Sequence, residues 1–137
     1  MDKLIIKMET KIVLNFIDSI NCADIDKMVD LMAADHIFID SQENKIVGKD
    51  NMRQAWTGYF SLFPDYKIEV NEIFRNNSLI CVFGHAGGTY KNLVNDENTN
   101  YWKIPIALKA IVKENQIASW QVYADNSPVI DILNKNR

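Results

Sequence analysis

The sequence holds two cysteines, three prolines, five glycines and two histidines in 137 residues, and each scarcity closes off a class of protein. Cys22 and Cys81 are too few to build the disulfide frameworks of small secreted domains, so both read as reduced thiols. So little proline and glycine leaves no linker-like stretch. With no internal repeat and no low-complexity segment, residues 1–137 read as one domain. Long apolar runs are missing too: the opening segment MDKLIIKMETK has only three consecutive apolar residues between charges, too few for a signal-peptide core or a membrane span. The expectation is a cytoplasmic protein with no membrane contact. Histidine and cysteine never fall at HxxxH or CxxC spacing, there is no nucleophile elbow, and the glycines of GHAGGTY do not lead into a helix. Neither a metal nor a cofactor is expected. Basic residues are outnumbered, 15 Lys and Arg against 18 Asp and Glu, giving a net charge of −3, so no basic surface for nucleic acid is expected.

What the chain does have is 47% hydrophobic residues, enough for an independent core, arranged with two successive periods. Val13, Phe16, Ile17 and Ile20 recur at helical spacing and predict a first helix over residues 3–20 that ends at Asn21 to Ala23. Asp24 is placed to cap a second, short helix striped by Ile25, Met28, Val29 and Met32. His36, Phe38 and Asp40 alternate with Ile37 and Ile39 in a short strand, and QENK turns the chain toward a third helix near Lys49. Met52, Ala55, Trp56, Tyr59, Phe60 and Phe63 make that helix's aromatic face before Pro64 stops it. Beyond Pro64 the period becomes two. YKIEVNEIF, LICVFGHAGGTY, YWKIPIALKAIV and QIASWQVYA read as four antiparallel strands turned at RNNS, NDEN and KEN. A last helix is expected with Ser127 as N-cap and Pro128 at its first position. Helices first and strands after predict an α+β fold with the helices on one face of the sheet.

The helix pair, the short strand carrying FID, the VGKDNM lead into a third helix and the closing ENQIASWQVYAD resemble the nuclear transport factor 2-like superfamily over nearly the whole chain. The SnoaL-like branch is most similar, with ketosteroid isomerases and limonene epoxide hydrolases further off. This resemblance implies a cone: a curved, mostly antiparallel sheet with N-terminal helices packed on its concave face and a deep apolar pocket between them. It also implies a homodimer formed through the convex sheet face.

Within that resemblance Asp40 matches the general base of the ketosteroid isomerases. Moving a proton next to a carbonyl also needs a donor that stabilises the enolate oxygen. The isomerases' tyrosine maps onto Phe16, and their acidic donor onto Ala107 or Leu108, neither of which donates from its side chain. The last-strand acid of SnoaL-like cyclases falls among Trp120, Gln121 and Val122, and the acidic and arginine residues of the epoxide hydrolases are missing. Asp40 therefore has two readings: the general base, with Tyr59 or His85 as proton donor, or a strand-end Asp that bonds nearby backbone N–H groups. His85 likewise reads as an acid/base partner or as an ordinary strand histidine. Period-two alternation puts Trp102, Ile104, Ile106, Leu108 and Ala110 on the concave face, with Trp120, Val122 and Ala124 beside them. Phe16, Trp56, Tyr59, Trp102, Ile106, Leu108, Trp120 and Val122 then either line a pocket for a small apolar ligand or fill a core. Two functions follow: a SnoaL-like small-molecule-binding protein with isomerase or cyclase-type chemistry at Asp40, or a non-catalytic binding or dimerisation module of the same fold.

Overall fold

The helical and period-two segments fold into a six-stranded sheet with helices packed on one face, an α+β architecture. The computed structural model describes residues 3–137, with side chains from residue 8 onward. The first helix, α1 (Lys3–Asn21), turns Val13, Phe16, Ile17 and Ile20 to the core. Asn21 then clamps its C-terminal end to the sheet: Nδ2 donates to the Ile68 carbonyl at 2.9 Å and Oδ1 accepts from the Ile68 N–H at 2.7 Å. Asp24 caps α2 (Ile25–Leu31), accepting from the Lys27 N–H at 3.2 Å.

The chain passes from α2 straight into β1 (Met32–Ile39), which begins earlier than the apolar alternation suggests. Met32 already pairs with Ile117 of the last strand, and the register then shifts before Ile37, so a bulge hides the alternation. QENK is not only a turn: it leads into β2 (Lys45–Val47), which pairs antiparallel with β1. Helix α3 (Lys49–Leu62) starts at Gly48, whose φ of 96° suits glycine, and ends as the chain bends at Phe63 before Pro64.

Four long strands follow, β3 (Lys67–Asn76), β4 (Leu79–Thr89), β5 (Tyr101–Lys113) and β6 (Gln116–Tyr123), joined as an antiparallel meander. Between β4 and β5 the chain makes a 3₁₀ turn at Tyr90–Asn92 and further turns up to Asn100. In helix α4 (Ser127–Lys135) the N-cap position falls on Asn126, one residue earlier than expected, and its side chain makes no capping hydrogen bond. Asp125 Oδ1 accepts from both the N–H and the hydroxyl of Ser127 at 2.9 and 2.6 Å, which draws Ser127 into the helix and leaves Pro128 as its second residue.

The sheet order is β2-β1-β6-β5-β4-β3, with β1 parallel to β6 and every other pair antiparallel. The sheet is curved and unclosed. Along β5 burial alternates as expected: Trp102, Ile104, Ile106, Leu108 and Ala110 are buried, whereas Tyr101, Lys103 and Pro105 are exposed. Cross-strand register carries that face outward in both directions, placing Ala86 opposite Ile104 and Val122 opposite Leu108.

Candidate functional site

Between α3 and the concave face of β1, β5 and β6 lies a cavity of about 330 Å³, the size of a small-molecule site. Its floor is aliphatic and aromatic: Met52 and Trp56 from α3, Ala86 from β4, Trp102, Ile104 and Ile106 from β5, and Trp120 from β6. All seven are buried. The walls rise through Phe38, Ile46, Ala55, Tyr59 and Tyr66, and the half-exposed end is formed by Asp40, Ser41, Val122, Ala124 and Asn126. The hollow is therefore apolar inside and polar at one end. Asn126 Nδ2 donates to Ser41 Oγ at 2.9 Å, joining the β1–β2 turn to the lead into α4.

The rings pack edge to face. Tyr59 and Tyr66 meet at 5.0 Å and 90°, Trp56 and Tyr59 at 6.1 Å and 86°, and Phe63 props Trp102 from behind at 5.4 Å and 81°. Neither indole N–H, of Trp56 or of Trp102, meets an acceptor among the described residues. Burial pushes the Tyr59 hydroxyl well above the usual phenol range, and the neighbouring Tyr66 pushes it further. Burial alone does the same for Tyr66. Both stay protonated at neutral pH and remain hydrogen-bond donors.

Asp40 lines the cavity, and its carboxylate is also fully engaged in the turn that follows β1. Oδ1 accepts from the N–H groups of Gln42 and Asn44, each at 2.9 Å, and Oδ2 accepts from Asn44 Nδ2 at 3.1 Å. Partial burial pushes its pKa up, but the hydrogen bonds from Asn44 and Gln42 outweigh that and hold it below the ordinary carboxylate value. A carboxylate stabilised in this way is a weak base and a durable negative charge. Both readings of Asp40 thus meet at one residue: it is an Asx-turn residue by its bonds and a cavity residue by its position.

His85 lies elsewhere. Opposite Pro105 and Glu69 in the register, it stands on the convex face, where its Nδ1 is 2.9 Å from Asn71 Oδ1. It borders a separate surface concavity with Asp65, Lys67, Glu69 and Lys103, so it does not join Asp40 and Tyr59. Phe16 and Leu108, at 0% and 2% exposure, lie in the core behind the cavity; Phe16 packs against Trp120 with ring centroids 4.8 Å apart. Tyr59, Trp56, Trp102, Ile106, Trp120 and Val122 line the cavity. Phe38, Ile46, Tyr66, Ser41 and Asn126 went unrecognised. For Phe38 the signal was present, because it shares the alternation of His36 and Asp40. Tyr66 stands just before β3, although the expected strand began with it and put it in phase with Ile68 and Val70, and Ser41 and Asn126 lie outside the strands and helices. Among the described residues no group of three or more His, Cys, Asp or Glu side chains gathers as metal ligands.

A family model described as a SnoaL-like domain matches residues 13–119, which runs from α1 to the middle of β6. The chain belongs to the SnoaL-like domain family. Solved structures agree on the fold. A protein of Xanthomonas campestris pv. campestris named for a polyketide cyclase superimposes with a TM-score of 0.80 at 15% identity, over 93% of this chain and 97% of that one. A SnoaL-like polyketide cyclase by name, from Jannaschia Sp. CCS1, gives 0.78 at 14%, over 92% and 91%. A protein of ketosteroid isomerase-like fold from Catenulispora acidiphila DSM 44928, in complex with trimethylamine, gives 0.76 at 16%, over 88% and 89%. At such identities the likeness concerns the SnoaL-like, ketosteroid isomerase-like fold alone. Comparison with curated protein sequences finds no match. No helix among the described residues is long and apolar enough to cross a membrane.

Proposed function

We propose that this SnoaL-like chain binds a small, largely apolar organic molecule in the cavity between α3 and the sheet. The observation that carries the reading is the cavity itself: about 330 Å³ left open in the middle of an aromatic cluster, with Asp40, Ser41 and Asn126 at its half-exposed end. A purely structural module would gain stability by filling that space, since an unfilled apolar hollow forfeits packing contacts along its lining. Titration with 2-naphthol, a neutral aromatic probe that fits the volume, is expected to change the tryptophan fluorescence saturably at one site per chain. Ala55→Trp, which puts an indole on the cavity wall from a half-buried helical position, is expected to abolish the signal while leaving the circular dichroism unchanged. Equal binding by that variant would place the probe elsewhere and sink the proposal.

A second reading is favoured by one observation, that Asp40, Tyr59 and Tyr66 line the same cavity. Base and donor on one hollow is the arrangement that isomerase or cyclase-type chemistry requires: Asp40 takes a proton from carbon next to a carbonyl while a tyrosine hydroxyl holds the developing oxyanion. The lowered pKa of Asp40 works against this role, because proton abstraction gains from a base whose pKa is close to the working pH. Full turnover of an identified substrate by Asp40→Asn would remove Asp40 from that role.

The convex face supports a proposal about partners. Phe74 and Phe83 are 56% and 45% exposed on neighbouring strands with rings 6.0 Å apart, and Tyr123 is 50% exposed opposite Ala107. We propose that this face pairs with a second copy of the chain.

A further inference from the structure

We infer that the cavity selects an organic cation, an amine or quaternary ammonium whose charge rests near Asp40 and the aromatic walls, over neutral or anionic molecules of the same shape. The inference rests on the reading of the cavity as a ligand site and names the chemical class of its ligand. Of the residues that line the cavity, Asp40 alone carries a charge at neutral pH; no Lys, Arg or His contributes to the wall. Both described ion pairs, Arg53 with Asp26 and Lys103 with Glu69, lie elsewhere, and Lys45, opposite Ile39 on β2, makes none with Asp40. Among the described residues no cationic side chain pairs with the Asp40 carboxylate.

The hydrogen bonds that make Asp40 a poor base are what keep it charged. Donors from Gln42 and Asn44 hold both oxygens in one orientation. Asp125 stands between two lining residues, Ala124 and Asn126, in the chain, and is itself exposed outside the lining. Ser127 donates to it through both hydroxyl and N–H, which keeps its pKa low. Asp125 also offsets the partial positive charge at the N-terminal end of α4.

The walls supply the rest. Phe38, Trp56, Tyr59, Tyr66 and Trp102 all border the hollow, with Trp56 and Tyr66 each close to perpendicular to Tyr59. An aromatic face is the negative part of its quadrupole, so a soft, poorly hydrated cation gains wherever it rests over one of these rings. An anion would meet the Asp40 charge and gain nothing from the ring faces.

The test compares phenyltrimethylammonium with tert-butylbenzene, which has the same shape and no charge, by tryptophan fluorescence titration of the full chain. The cation is expected to bind roughly fivefold or more tightly than its neutral isostere. Its affinity should fall as salt is added, whereas that of the isostere should not. Asp40→Asn is expected to lose most of the preference by weakening the cation alone, and its unchanged binding of tert-butylbenzene shows that the site is still folded. Isostere binding as tight as that of the cation, or a preference that survives Asp40→Asn, overturns the inference and leaves the cavity reading standing. Absence of saturable binding by both probes overturns the two together.

Discussion

His36 has no exposed surface, and its ring packs near Phe16 with centroids 6.4 Å apart. Its Nδ1 lies 2.7 Å from the Ile117 carbonyl, which can only accept, so Nδ1 carries the proton and Nε2 is bare, with no partner among the described residues. Burial is the largest influence on this ring and lowers its pKa below the ordinary 6.5; the Ile117 bond and Asp35 oppose that, and Lys49 adds to it. The sign follows from proton counting. Below pH 6.5 the unfolded chain binds a proton at this position that the folded chain refuses, so stability falls as pH drops from 6.5 toward the lowered folded value. Urea midpoints measured between pH 8 and pH 5 are expected to decline in the native protein, and His36→Met, which cannot titrate, is expected to lose that component. An unchanged slope in the variant would mean that other groups set the dependence. Asp40 acts in a separate window: its stabilising effect is complete above its ordinary 3.8 and is lost only as pH falls through the depressed folded value.

At the level of elements, two joints hold the helices and strands in the positions that leave the cavity open. Asn21 exchanges two hydrogen bonds with Ile68, tying the end of α1 to the edge strand β3. Asn21→Ala strands the Ile68 N–H and carbonyl in a half-buried place and is expected to cost about 2 kcal/mol in denaturant unfolding. Gly84 is the second joint. A Cβ there would stand 1.8 Å from the Glu69 carbonyl oxygen, because β3 bulges between Val70 and Glu72 and presses its backbone onto β4. Gly84→Ala is expected to cost about 3 kcal/mol, since backbone rather than a flexible side chain would have to move. A loss below about 0.5 kcal/mol, the scale of an ordinary surface change, would show that the bulge is not held tightly.

The whole molecule is a sheet with two unlike faces. Helices α1 and α3 cover the concave one and leave the cavity, while the convex one presents Phe74, Phe83 and Tyr123 to solvent. Paired with a second copy, those rings would be removed from water at roughly 25 cal/mol for each Å² of apolar surface buried. Sedimentation is expected to show a dimer. The double variant Phe83→Lys, Tyr123→Lys, which puts like charges on both sides of a symmetric contact, is expected to sediment as a monomer that still binds 2-naphthol. A native protein that sediments as a monomer at micromolar concentration would exclude this face as a stable self-contact.

The α+β class, the four long strands and the inward-facing rows Trp102 to Ala110 and Trp120 to Ala124 could be read directly from the chain, because helical and strand periods are local properties and a strand's two faces differ only by parity. The sequence alone also placed Asp40 at the end of its strand. It could not separate lining from core. Phe16 and Trp120 are both buried aromatics on the inward faces of their elements and touch each other, yet only Trp120 borders the cavity. Nor could it orient His85, whose glycine neighbours leave the strand's parity ambiguous until the pairing with Pro105 and Glu69 is known. The parallel pairing of β1 with β6 and the contacts of Tyr66, Ser41 and Asn126 join residues far apart in the chain. Those contacts depend on how the sheet curves and the helices dock, which only the packing of the folded chain decides.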